Sequence, residues 1–145
     1  MPVPVSSGSK SSPNRSAIVV LMNSKIQKNI FIGIALLIVI LLFTIVDHAM
    51  HGLSENWSVP DYYFKDKIPF GFLWGIVGIR LANKVESIWL RSFALAITVA
   101  ATLQVRYFIE GYDLNFVLLF LLFHFLILYV LSFGMFSLFK KFNYL

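Results

Sequence analysis

Thr44, Asp47, His48 and His51 fall at positions i, i+3, i+4 and i+7, so any helix that carries them presents all four on one face. Two imidazoles three residues apart can ligate one metal through ring nitrogens, with Asp47 either as a ligand or as the partner that orients His51. A carboxylate from a neighbouring turn, Glu110 or Asp113, would complete the set. Nitrogen and oxygen donors without thiolate suit zinc, iron, manganese or copper, and haem is the other cofactor that such histidines hold. The pattern Asp-His-x-x-His lacks the glutamate of H-E-x-x-H, so it names no reaction by itself. The competing reading is structural: the histidines end a helix favourably at the negative pole of its dipole, whereas Asp47 there opposes the dipole and calls for a cation, with Arg106 as the candidate.

His124 stands apart from this group, ten residues into a second long apolar run, or about 15 Å deep on helical rise. Three roles are open to it: a neutral imidazole hydrogen-bonded to a neighbour, a haem or metal ligand, and a proton relay with Asp47 in which Arg106 and Asp113 are further candidates. Direct contact between His124 and Asp47 requires the two helices to be offset along their axes.

The elements that must position these groups are apolar helices. The chain is 59% hydrophobic and only 13% charged, about half the charged fraction usual for a soluble domain, and 145 residues folded in water cannot hide that much apolar surface. Ile30 to Val46 is a run of seventeen residues without a charge, long enough with its flanks to cross a hydrocarbon core of about 30 Å. The expected fold is therefore all-α, a polytopic bundle of four transmembrane helices at about 26–50, 68–83, 88–110 and 114–139, forming one domain over 25–145. Residues 1–24, with Pro2, Pro4, Pro13 and many serines, read as a disordered tail, and Met22 ahead of a basic lead is a possible natural start. The loop between the first two helices, rich in Trp57, Tyr62 and Tyr63, is expected to form a short interfacial segment, with Ser58 and Asp61 as a capping box.

The second apolar segment, with Pro69 expected in its first turn, carries Gly71, Gly75 and Gly78 on a small-residue face that lets another backbone approach closely. In the third, Thr98, Thr102, Arg106 and Glu110 recur every four residues and can trace a line toward a neighbouring helix. Lys and Arg concentrate in the N-terminal segment (Lys10, Arg15, Lys25, Lys28), around the second loop (Arg80, Lys84, Arg91) and at the C-terminus (Lys140, Lys141), against three around the first and third loops (Lys65, Lys67, Arg106), which places both termini on the cytoplasmic side of a cell membrane.

With no cysteine there is no disulfide framework and no thiolate site, and the sequence holds no phosphate-cradling glycine loop and no G-x-S-x-G elbow. Despite the net charge of +5, the basic residues sit at the ends of apolar segments, which points to membrane anchoring and away from nucleic acid. The leading expectation is a non-enzymatic membrane subunit or assembly factor, homo- or hetero-oligomeric through the glycine face. The alternatives are a metal- or haem-dependent membrane enzyme or redox subunit using Asp47, His48 and His51, and a small proton-coupled transporter.

Overall fold

The computed structural model describes residues 15–142 and 144, with side chains from residue 25 onward. Four α-helices follow one another, α1 (Arg15–His51), α2 (Tyr62–Ala82), α3 (Ile88–Ile109) and α4 (Leu114–Lys141), with a short 3-10 turn, Glu55–Trp57, between the first two. The remaining connections are short, so consecutive helices run antiparallel. α3 packs against α2 and α4, and α1 closes the ring by touching α2 and α4. The start of α1 and the end of α4 share one end of the bundle, where Phe31 stacks on Tyr144 at 4.5 Å. Lys25–His51, Ile88–Ile109 and Leu114–Lys141 are long and apolar enough to cross a membrane. α2 has the length of a span, but it carries Lys65, Asp66, Lys67 and Arg80.

Several expected boundaries move. α1 starts at Arg15, inside the segment expected to be a tail, because the apolar patch Ala17 to Met22 continues the helix; residues 1–14 of that tail lie outside the described residues. α2 starts at Tyr62 and not near Ile68, which puts Pro69 about two turns into the helix instead of in its first turn. Proline there leaves the Lys65 carbonyl without its helical donor, a loss that helices packed inside a bundle tolerate. The Ser58–Asp61 capping box does not form: Ser58 ends the 3-10 turn, and the Asp61 side chain makes no cap hydrogen bond.

The reason for the early start of α2 is its buried stripe. Tyr63, Lys67, Gly71, Gly75, Gly78, Ile79 and Ala82 face the interior at steps of three or four residues. The three glycines on that stripe are occupied within the chain. A Cβ on Gly75 would lie 2.7 Å from the Leu36 side chain of α1, and one on Gly78 would lie 2.8 Å from the Leu95 side chain and 3.1 Å from its Cα on α3. This face is therefore spent on intramolecular packing, because α1 and α3 already fill the grooves that a second subunit would need. The core around it consists of Leu36, Ile40, Phe43, Leu95, Val99 and Leu128, with Phe136 and Phe139 closing the end that holds the termini.

Replacing Gly78 with leucine forces a side chain into the Leu95 backbone, and overpacking of this kind costs about 1–3 kcal/mol. The Gly78→Leu variant is expected to melt at lower temperature in detergent than the parent, while Gly134→Ala, where a Cβ meets nothing within 4 Å, is expected to leave the melting curve in place.

Candidate functional site

Six polar side chains, buried or nearly so, converge at the end of the bundle opposite the termini. Asp47 comes from the last turn of α1 and is 1% exposed; Lys67 comes from α2 at 3%, Gln104 from α3 at 4% and His124 from α4 at 0%. His51, one turn beyond Asp47, and Tyr107, just beyond Gln104 on α3, complete the group. Each helix supplies its member for a local reason. Lys67 lies four residues before Gly71 on the same buried stripe, so the helix that packs through glycine also delivers an amine to the interior. Gln104 lies four residues beyond buried Ala100, on the side of α3 that faces α4.

Asp47 is the hub. Its Oδ2 accepts a hydrogen bond from the Lys67 ammonium, and its Oδ1 accepts one from His124 Nε2 at 2.5 Å. On the far side of the same ring, Gln104 Nε2 donates to His124 Nδ1 at 2.6 Å, which makes His124 a neutral imidazole with its proton on Nε2. His51 Nδ1 donates to the Trp57 carbonyl, so its Nε2 lone pair turns inward, 3.7 Å from Asp47 Oδ1 and 3.4 Å from the Tyr107 hydroxyl. The His51 ring stacks on Phe120 at 4.0 Å, and the Lys67 ammonium lies 5.2 Å above the Phe64 ring and 5.5 Å above Tyr107. Aromatic faces therefore complete the solvation of a cation that has left water.

The offset between α1 and α4 makes the Asp47–His124 contact. α1 ends only one turn past Asp47, whereas α4 continues well over two turns from His124 to its start at Leu114. The loop after α1 fills the step: Trp57 packs edge-on against Phe120 at 6.0 Å and against Phe123 at 6.1 Å while its carbonyl holds His51. Wall and roof thus come from one connection.

The other candidates fall outside this group. His48 is exposed and meets Phe64 edge-on at 4.4 Å, because it lies about 100° around the helix from Asp47. Glu110 pairs with Arg106 at 2.9 Å, and Asp113 caps α4 by accepting from the Asn115 backbone N–H at 2.8 Å. Arg106 is not the cation for Asp47; it binds Asp66 at 2.9 Å as well as Glu110 and stacks 4.5 Å over Tyr63. Thr98 and Thr102 bond to carbonyls of their own helix, so the polar line expected on α3 does not reach across to a neighbour. Asp47 and His51 are joined by His124 in place of His48 and Glu110, and one ligand atom from each of these three lies within 4.8 Å of the others.

No family model, curated protein or solved structure matches this chain. The site must therefore speak through its own chemistry. Lys67 and Gln104 escaped the sequence reading, although each left a trace: Lys67 continues the glycine stripe, and Gln104 is the single amide side chain of α3.

Removing one member of a buried ion pair strands the other, at about 3–5 kcal/mol, whereas replacing both with apolar groups costs far less. Lys67→Met is therefore expected to destabilise the protein strongly in a denaturation titration, and the double variant Asp47→Leu, Lys67→Met is expected to recover most of that loss. Additive losses would show that Lys67 is not the partner Asp47 depends on.

Proposed function

We propose that this chain is a four-span membrane protein whose His124–Asp47–Lys67 chain holds and passes a proton, and that it works as a small proton-coupled transporter. The observation that carries this reading is the hydrogen-bonded sequence of imidazole, carboxylate and amine from three different helices, sunk in an apolar core. As a fastener it is a poor choice, since an apolar replacement packs as well without desolvating charges. Ionisable groups at such positions in membrane proteins serve pathways.

The chemistry follows from the donors and acceptors. The Asp47 carboxylate and the Lys67 ammonium cancel, so the cluster is neutral with His124 neutral. A proton arriving at His124 Nδ1 requires the Gln104 amide to turn so that its oxygen accepts. That oxygen has no hydrogen-bond partner among the described residues, so the turn breaks no bond at that atom. The imidazolium passes its Nε2 proton to Asp47 while Lys67, which also lines the cavity between α2 and α3, gives one ammonium proton to water there and takes the Asp47 proton in its place, so one proton enters at His124 and one leaves at Lys67.

A second reading, a metal centre of Asp47, His51 and His124, is favoured by the convergence of their ligand atoms and by the Trp57 carbonyl that orients His51. It ranks below the first because a divalent ion would add two charges to an interior where Lys67 already neutralises Asp47.

Proteoliposomes under a potassium-diffusion potential, with a pH-sensitive dye inside, test the proposal. The protein is expected to admit protons faster than empty liposomes, and Asp47→Asn and His124→Gln, each purified as a folded species by gel filtration, are expected to slow that flux by about tenfold or more. Flux equal to that of empty liposomes would overturn the reading. Stoichiometric metal in the purified protein, lost in a His51→Ala, His124→Ala variant, would put the metal centre in its place.

The topology proposed with this function has both termini in the cytoplasm of a cell membrane. A cysteine placed at Glu55 is expected to react with an impermeant maleimide added to intact cells, and one at Lys84 is expected to react only after lysis. The reverse pattern would invert the protein.

A further inference from the structure

The half-open cavity between α2 and α3 has a volume of about 620 Å³, within the range of about 300–1,000 Å³ that holds a small organic ligand. Its two ends differ in character. Asp66, Arg106 and Glu110 lie at the end shared with the buried cluster, while Phe70, Leu73 and Leu103 line the end toward the middle of the bundle. Because α2 and α3 run antiparallel, this gradient is continuous along the groove. Leu73 and Val105 are 59% and 54% exposed on the outer surface of the bundle, so the cavity opens sideways through apolar walls.

The charges at the polar end decide what it can hold. Lys67 is matched by Asp47, and Arg106 is shared between two carboxylates, through Nη1 to Asp66 and through Nε to Glu110. One carboxylate is left over, and neither cation has an uncommitted charge to offer an anion. Tyr63 and Tyr107 border the same end with their rings stacked on each other at 5.0 Å and already met by Arg106 and Lys67, and the buried Tyr63 hydroxyl has no hydrogen-bond partner among the described residues. A head with one surplus carboxylate above an apolar shaft suits one chemical class.

We infer that the α2–α3 cavity binds an amphipathic organic monocation, its charge set against Asp66 and Glu110 and its apolar body along Phe70 and Leu73. This deepens the transport reading, on which it rests for its role, by naming the substrate class.

Tetraphenylphosphonium and tetraphenylborate have the same shape and opposite charge, and equilibrium dialysis of each against the full detergent-purified chain is the test. Saturable binding of one phosphonium per chain is expected, with the borate weaker by about tenfold or more. Glu110→Gln, at the exposed rim, is expected to weaken phosphonium binding severalfold. Leu73→Trp, which fills the shaft from an exposed position, is expected to abolish it, while Leu122→Trp on the exposed face of α4 leaves it unchanged. Equal affinity for the two ions, or equal loss in the two tryptophan variants, would overturn the inference by showing unselective partition. Binding at equilibrium needs no net proton movement: proton flux without phosphonium binding sinks this inference alone, and phosphonium binding without flux sinks the transport reading alone.

Discussion

A single carboxylate, Asp47, accepting from an ammonium and an imidazole inside an apolar bundle, is the constraint that orders the functional end of this protein. Three helices meet through it: α1 carries the acid, α2 supplies Lys67 and α4 supplies His124. The fourth joins through Gln104, which fixes the ring of His124 from its other edge. An unpaired charge at such depth is costly, so each partner confines the rotation and axial position of the helix that bears it.

The glycine stripe of α2 makes this arrangement sterically possible. Gly75 and Gly78 admit Leu36 and Leu95 so closely that α1 and α3 press onto α2, and the long Lys67 side chain one turn beyond the glycines then lies alongside Asp47. With bulkier residues there, the helices would separate and the ammonium would face a gap. Close packing at one level of the bundle and charge neutralisation at the next are thus two consequences of the same face. The connection after α1 completes the enclosure, since Trp57 shields the cluster with its ring and fixes His51 with its backbone.

The carboxylates follow a related logic at the surface. Arg106 holds Asp66 on α2 and Glu110 on its own helix, and it lies flat over Tyr63, which ties the polar end of the α2–α3 seam together without sealing it. Buried and exposed charges are thereby segregated. Asp47 and Lys67 cancel in the core, and the surplus negative charge stands at the mouth of the cavity.

Composition and periodicity alone determined that the chain is all-helical, with runs apolar enough for lipid, that α2 packs through Gly71, Gly75 and Gly78, and that polar chemistry gathers where α1 ends. These features depend on the order of residues within one helix, where spacing translates directly into a shared face. Tertiary structure decided which groups meet: His124 in place of His48, Lys67 in place of Arg106, and Gln104 unforeseen. The glycine face, expected to be available to another subunit, is filled by α1 and α3. Those outcomes depend on the axial offset and rotation of one helix against another. Contacts such as Leu36 on Gly75 and Leu95 on Gly78 set these quantities, and no spacing within a single segment encodes them.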